Sequence, residues 1–145
     1  MPDTTVPDVT YRVSDGDDLD LDAVIALYRS STLGERRPVD ESDRMAGMLQ
    51  HANLVVTAWA GNALVGIARS LTDWDYTTYL ADLAVHLDHQ RSGIGRELVA
   101  RTWAATHPKA SLVLLAAPKA EGYYPRIGMR QHASAWVLRE GDELR

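Results

Sequence analysis

The sequence predicts an α/β domain, of the α+β kind, in which helices cover both faces of a mixed β-sheet. Apolar residues alternate between strand and helix spacing along the chain, in the order β-α-α-β-β-β-α-β-α-β. Residues 112–116 are apolar throughout, which is typical of a strand covered on both faces. The 145 residues contain no repeat or linker, so a single domain over residues 1–145 is expected, with residues 1–9 as a flexible tail.

The N-terminal third is predicted to contain a strand and two helices. Residues 10–13 form the strand, and residues 21–28 carry apolar side chains at helical spacing, after a cap at Asp17 or Asp18. A loop with Gly and Pro ends this helix, and a second helix continues to about residue 52.

The rest of the chain is predicted to be mostly strand. The turn Ala60-Gly61-Asn62-Ala63 between two apolar runs indicates a hairpin. The predicted strands are residues 54–59, 64–71, 77–85, 112–116 and 135–139, and the predicted helices are residues 93–106 and 121–127.

Composition excludes several kinds of site. The sequence has no cysteine, so it cannot form disulfides, thiolate zinc sites or a thiol nucleophile. A net charge of −5 argues against nucleic acid as the main partner. No apolar run reaches the roughly 20 residues that span a bilayer, and the first residues lack a signal-peptide pattern, so a cytoplasmic protein without membrane contact is expected. The five histidines are not spaced as a closed metal site, and no metal is expected.

The most informative segment is the loop Gln90-Arg91-Ser92-Gly93-Ile94-Gly95, which lies between a predicted strand and a predicted helix. Glycines at a helix start leave backbone N–H groups open to a phosphate. The Walker pattern G-x-x-x-x-G-K-[ST] is absent, and the dinucleotide pattern G-x-G-x-x-G/A fails because Leu98 stands at its third small position.

The loop instead resembles the [QR]-x-x-G-x-[GA] pyrophosphate-binding element of the GNAT superfamily of acetyl-CoA-dependent N-acetyltransferases. A second match lies downstream, where residues 121–129 resemble the family's F-Y-x-x-x-G-F segment with Tyr123 and Met129 in place of its phenylalanines. Leu87 replaces a proline common in the family. The resemblance implies a largely antiparallel sheet of six to seven strands, splayed between strands four and five, with a short or merged final strand.

The resemblance also implies how acetyl-CoA is bound. Backbone N–H groups of the loop hold the pyrophosphate, and the preceding strand pairs with the pantetheine arm while a backbone N–H near Val85 polarises the thioester carbonyl. The implied cofactor-binding residues are Leu83, Ala84, Val85, Gln90, Arg91, Ser92, Gly93, Ile94, Gly95, Arg96 and Tyr124.

The resemblance and the residue chemistry together predict two catalytic residues. Tyr124 matches the family's general-acid tyrosine, and a phenol is a suitable proton donor to a thiolate; the alternative is an aromatic side chain packed on the core. Asp82 interrupts an apolar strand, so it is either the general base for the amine or a carboxylate that caps a loop or pairs with an arginine. A chain of water molecules is a third route for the amine proton.

The acceptor is implied to lie near Tyr28, Trp74, Tyr76 and Tyr79. Carboxylates beside the Trp74 indole suit a cationic or aromatic amine, although an ordinary surface turn explains them equally well. Arg36 and Arg37 suit an acidic substrate or the 3′-phosphate of the cofactor.

These observations predict an N-acetyltransferase that moves an acetyl group from acetyl-CoA directly to a primary amine, most readily on a small molecule. The alternative is a non-catalytic acyl-CoA-binding sensor. The expected partner is the amine substrate, and a homodimer is common among relatives.

Overall fold

The computed structural model describes residues 8–145, which form two compact units, one ending at Leu115 and the other running from Ala116 to Arg145. Most of the predicted N-terminal tail lies outside the described residues, and Val9 already belongs to the first strand. Within the described chain, no helix is both long enough and apolar enough to cross a membrane.

The first unit contains five strands, three helices and two short 3-10 turns. The strands are β1 (Val9–Ser14), β2 (Leu54–Ala60), β3 (Ala63–Thr72), β4 (Thr77–Val85) and β5 (Ser111–Val113). The helices are α1 (Leu21–Ser30), α2 (Ser42–His51) and α3 (Ile94–Ala104), and the 3-10 turns are Thr32–Arg36 and Leu87–His89. The second unit contains a 3-10 turn, Pro118–Ala120, and the short helix α4 (Tyr123–Arg126).

The sheet has the order β1-β2-β3-β4-β5. Strands β1 to β4 are antiparallel neighbours, and β5 is parallel to β4 over three residue pairs that end at Tyr79 and Val113. Among residues 8–145, no strand pairs with β4 on that side beyond Tyr79, in agreement with the expected splay between strands four and five. The predicted mixed, largely antiparallel sheet is therefore confirmed.

The number of strands was predicted incorrectly. The sheet has five strands rather than six to seven, and residues 135–139 are not a strand. Each side chain from Ala135 to Arg139 is exposed, so this apolar alternation has no sheet face to cover it. A strand is stabilised by cross-strand contacts, and an apolar pattern without a partner does not supply them.

Helices cover both faces of the sheet, as predicted. On one face, α1 and α2 pack against the strands through a cluster of buried side chains that includes Leu27, Met45, Leu49, Val55, Ile67 and Ala84. On the other face, Ile94 and Leu98 of α3 lie over Gly66, where the missing side chain lets the helix approach the sheet.

Two local features differ from the prediction or add to it. Asp20, rather than Asp17 or Asp18, caps α1, because its side chain accepts a hydrogen bond from the N–H of Asp22. The pairing of β3 with β4 shifts register, since Arg69 faces Asp82 and the next residue, Ser70, faces Leu80. Ala81 is therefore the extra residue of a β-bulge, and such bulges redirect side chains near functional sites.

Substituting alanine for Gly66 is expected to destabilise the protein by about 1–3 kcal/mol, because a Cβ there would lie 3.0 Å from Leu98 Cδ1 and 3.1 Å from Ile94 Cγ2. The matched control is Gly47→Ala in the interior of α2, where an added Cβ meets nothing within 4 Å. That variant is expected to gain stability, since alanine favours a helix over glycine. Urea unfolding of both variants measures the difference, and equal effects would contradict close packing at Gly66.

Candidate active site

The open edge of β4 is a short stretch of unpaired backbone. In an antiparallel strand, alternate residues direct their N–H and C=O groups to opposite sides. His86 donates its N–H to Val65 in β3, so the odd-numbered residues 81, 83 and 85 face away from β3. Two carbonyls on this edge are engaged by side chains, that of Ala81 by Arg37 Nη2 at 2.8 Å and that of Val85 by Gln90 Nε2 at 3.1 Å.

Leu83 lies between these two occupied carbonyls. Across residues 8–145, no hydrogen bond engages the backbone of Leu83 on the open side of the strand. The N–H and C=O of Leu83 and the N–H of Val85 are thus left open on this edge of β4, and they can pair with an amide laid along the edge in the manner of an added strand.

The glycine-rich loop forms a concave arrangement of N–H groups at the start of α3. Arg91 (φ 65°) and Gly93 (φ 85°) are both in the left-handed region, which turns successive N–H groups towards one side. In the described structure, no hydrogen bond uses the backbone N–H groups of residues 90–96. A Cβ added at Gly93 would meet nothing within 4 Å, so the space in front of these groups is open. An anionic group fits here, at the positive end of an eleven-residue helix.

Side chains within the loop hold its shape. Ser92 Oγ donates a hydrogen bond to the carbonyl of His89 at 2.5 Å, and Gln90 reaches back to β4. Both polar side chains therefore bond to backbone carbonyls of the first unit, and neither engages the backbone N–H groups of the loop.

Asp82 is the centre of a buried polar cluster, with its side chain fully enclosed. Its Oδ1 accepts from Arg37 Nε at 2.5 Å, and its Oδ2 accepts from Arg69 Nε at 2.6 Å and from the Tyr28 hydroxyl at 2.7 Å. Arg69 also donates to the carbonyl of Met48 in α2. The sequence leaves several roles open for Asp82, and the geometry matches the one in which the carboxylate pairs with arginine.

The cluster shifts the ionisation of its members. Burial opposes the charged form of Asp82, but the hydrogen bonds and charges of Arg69, Tyr28 and Arg37 prevail, so the pKa of Asp82 lies below its usual value. Burial, together with the Asp82 charge, raises the pKa of Tyr28 well above its usual value. At neutral pH the cluster therefore contains one carboxylate, two guanidinium groups and a neutral phenol.

The four aromatic residues proposed for the acceptor lie in different environments. Tyr28 is buried, 1% exposed, and its hydroxyl is committed to Asp82, so it does not face a solvent-accessible cleft. Trp74, Tyr76 and Tyr79 are exposed. Trp74 and Tyr76 belong to a turn in which Asp73 Oδ1 accepts the N–H groups of residues 75, 76 and 77. These backbone donors lower the pKa of Asp73.

Tyr79 lines an open groove of about 390 Å³ at the start of β4. The groove lies between the end of α2, the end of β3 and the start of β4, and its other lining residues are His51, Asn53, Leu71, Thr72, Asp73 and Thr77. It combines apolar surface from Leu71 and Tyr79 with the ionised Asp73, a combination that suits a small molecule carrying a cationic group.

Tyr124 lies in the second unit, at the start of α4. Its ring contacts that of Tyr123 edge to face, with centroids 5.3 Å apart. Burial, with a smaller contribution from Tyr123, raises the pKa of the Tyr124 hydroxyl, so this phenol keeps its proton at neutral pH. The carbonyl of Tyr124 accepts from the N–H of Met129, after Gly128 (φ 97°) reverses the chain.

The model of the acetyltransferase (GNAT) domain family matches residues 32–141. The chain belongs to the GNAT acetyltransferase family. No curated protein sequence matches the chain.

Solved structures of GNAT proteins share the fold. A GNAT-family acetyltransferase from Streptococcus pneumoniae TIGR4 is 23% identical with a TM-score of 0.71, over 92% of this chain and 100% of that one. An aminoglycoside acetyltransferase from an uncultured soil metagenomic sample, in complex with sisomicin, is 21% identical with a TM-score of 0.63, over 94% and 97% of the two chains. An aminoglycoside N-acetyltransferase in complex with CoA is 15% identical with a TM-score of 0.68, over 93% and 96%.

Sequence reasoning missed Arg69 and most of the groove residues of this GNAT domain. Arg69 interrupts the apolar strand β3 much as Asp82 interrupts β4, and two opposite charges in neighbouring apolar strands are a signal for a buried ion pair. His51, Asn53 and Leu71 carried no such signal, since they meet only through the fold. Among the described residues, no group of three or more acidic or histidine side chains could hold a metal ion.

Replacing Asp82 by Asn is expected to destabilise the GNAT domain by about 3–5 kcal/mol at pH 7, because two guanidinium groups lose their buried counter-charge. The folded-state pKa of Asp82 lies below its unfolded value of about 3.9. Its stabilising effect is therefore complete above the unfolded value and is lost as the pH falls through the folded value. Urea unfolding across this pH range measures the unfolding free energies of wild type and Asp82→Asn, and the difference between them should become smaller in acid.

The control is Glu41→Gln, which removes an exposed partner of Arg44 at 3.3 Å and should leave stability unchanged. Equal unfolding free energies for wild type and Asp82→Asn at pH 7 would contradict the buried ion pairs.

Proposed function

We propose that the protein is an N-acetyltransferase that transfers an acetyl group from acetyl-CoA directly to a primary amine on a small molecule. The observation that carries the proposal is the presence of two unpaired backbone surfaces in one strand–loop–helix segment, the opening at Leu83 near the end of β4 and the N–H groups of residues 90–96 at the start of α3. A long ligand with amides at one end and a diphosphate at the other matches both at once. The solved GNAT structure in complex with CoA supports this choice of cofactor.

The residues present fit such a cofactor. The N–H groups of residues 91–96 would hold the diphosphate in the open space before Gly93. Leu83 would pair with a pantetheine amide, and Ala84 and Val85 would line the cofactor along the same strand edge. When bound, acetyl-CoA supplies the acetyl thioester, whose carbonyl carbon is attacked and whose sulfur leaves.

Tyr124 is the proposed general acid, which gives its hydroxyl proton to the leaving sulfur. The family motif supports this role, and so does the raised pKa, because the phenol is present in its proton-donating form at neutral pH.

The amine proton is proposed to leave through water rather than through Asp82. A carboxylate with a lowered pKa and three donors on its two oxygens is a weak base. The role left to Asp82 is to hold Arg37, Arg69 and Tyr28 beside the bulge of β4.

The acceptor is proposed to be a cationic amine that enters by the groove beside Tyr79. The charge of Asp73, together with the apolar surface of Leu71 and Tyr79, supports such a ligand, and Trp74 and Tyr76 offer exposed rings on the adjoining turn. Aminoglycosides are polyamines, and the structurally similar aminoglycoside acetyltransferases support an amine acceptor.

A non-catalytic acyl-CoA sensor is the second candidate, because Asp82, the carboxylate buried in β4, is held by three donors and is a weak base. Release of coenzyme A thiol, measured with a panel of primary amines, separates the two functions. Acetyl transfer to any amine supports the enzyme. Tight binding of acetyl-CoA with no turnover across the panel would support the sensor.

Replacing Gly93 by Ala is expected to weaken binding of acetyl-CoA at least about tenfold, since the substitution strains a left-handed residue and puts a methyl group in the proposed diphosphate space. Gly61→Ala is the matched control, because Gly61 also has a positive φ and open surroundings but lies in the β2–β3 hairpin. Titration calorimetry of both variants measures the affinities. Unchanged affinity for acetyl-CoA in Gly93→Ala would contradict the proposed diphosphate site at the start of α3.

Replacing Tyr124 by Phe is expected to lower kcat by about 10²–10⁴-fold while acetyl-CoA binds with near-normal affinity, because only the proton donor is lost. In wild type, kcat should not fall on the alkaline side until above pH 10, since the pKa of Tyr124 is raised. Tyr11→Phe in β1 serves as the control for loss of a tyrosine hydroxyl. Full turnover in Tyr124→Phe would remove this residue from the mechanism.

A further inference from the structure

Arg37 joins strand β4 to the turn Thr32–Arg36 through three hydrogen bonds of its guanidinium group. Its Nε donates to Asp82 Oδ1, its Nη2 donates to the carbonyl of Ala81, and its Nη1 donates to the carbonyl of Arg36, the last two at 2.8 Å. The side chain is 24% exposed, so it reaches from a buried carboxylate towards the surface of the domain. Ala81 is the bulged residue of β4 and marks one end of the opening at Leu83.

The segment that carries Arg37 is itself closely packed. The 3-10 turn Thr32–Arg36 follows α1 directly, and Ser31 Oγ accepts from the N–H of Leu33 at its start. A Cβ added at Gly34 would lie 2.6 Å from the carbonyl oxygen of Tyr28, so the turn lies against α1 with no room for a side chain. Tyr28 in turn donates to Asp82. The turn is therefore fixed to α1 on one side and to the β4 bulge on the other.

Arg37 is not needed to neutralise Asp82. Arg69 is more deeply buried, 10% exposed at its side chain against 24% for Arg37, and it already gives Asp82 a counter-charge. Among the members of the cluster, Arg37 alone donates a hydrogen bond to the open edge of β4. Its removal leaves the Arg69–Asp82 pair intact and frees the Ala81 carbonyl.

We propose that Arg37 is a positioning residue for acetyl transfer, which fixes the bulge of β4 and the turn Thr32–Arg36 relative to each other at the acceptor end of the cofactor opening. This inference rests on the proposed function. The bulge lies two residues before Leu83, so its geometry sets the direction of the strand edge along which the thioester-bearing arm would lie. The proposed diphosphate site lies at the other end of the opening, beyond Gln90, and does not depend on Arg37.

The test is kinetic. In Arg37→Met, kcat/KM for the amine is expected to fall by about 10–100-fold, mainly through kcat, since small misplacement of reacting groups has effects of this size. The dissociation constant of acetyl-CoA should change by less than about twofold. Arg37→Lys, which keeps the charge but has a single donor group, should give an intermediate kcat and provides a second variant if Arg37→Met does not fold. Arg44→Met is the control, since Arg44 forms an exposed pair in α2.

Two results would overturn the proposal. The first is unchanged kcat/KM in Arg37→Met. The second is a loss of acetyl-CoA affinity that parallels a fall in melting temperature in both Arg37 variants, which would make Arg37 a residue of general stability. If wild type neither binds acetyl-CoA nor acetylates any amine, the proposed function fails and this inference fails with it. If wild type is active and Arg37→Met is equally active, this inference alone fails.

Discussion

The buried carboxylate of Asp82 is the constraint on which the candidate site depends. An ionised carboxylate inside an apolar sheet is costly unless donors surround it, and here Tyr28 comes from α1, Arg37 from the loop after the first 3-10 turn and Arg69 from β3. These contacts lie 54, 45 and 13 residues away along the chain. One charge therefore determines how the first helix, the following turn and two strands meet.

The open edge of β4 follows from the same arrangement. An unpaired strand edge attracts further strands, and proteins usually cover or shorten it. Here β5 stops at Val113, while Arg37 and Gln90 engage the carbonyls at the two ends of the remaining stretch. What is left between them is the backbone of Leu83 and the N–H of Val85. Such an edge is too short to add a strand, yet long enough to pair with an amide-bearing chain.

Local patterns in the sequence predicted much of the fold. Strand β4 has the predicted bounds, 77–85, and the hairpin turn contains Gly61 at φ 61°, because turn chemistry and apolar alternation are written in neighbouring residues. The prediction of a sixth strand was wrong, because the alternation of apolar residues at 135–139 does not show whether a partner strand is present. Tyr28 was predicted to face the acceptor, and its burial could not be foreseen, since it depends on a hydrogen bond across 54 residues.

The charge of the Asp82 cluster affects how the proposed amine substrate would lose its proton. Two guanidinium groups and one carboxylate give a net positive charge beside the bulge, within a protein whose overall charge is −5. A nearby positive charge disfavours the protonated form of an amine and so lowers its pKa. The exposed carboxylates of Asp73 and Asp75 would attract an ammonium group to the turn, whereas the arginines would favour its loss of a proton closer to β4. In the proposed reaction, such an amine would release its proton to water without a dedicated base, and Asp82 would serve as the fixed counter-ion of Arg37 and Arg69.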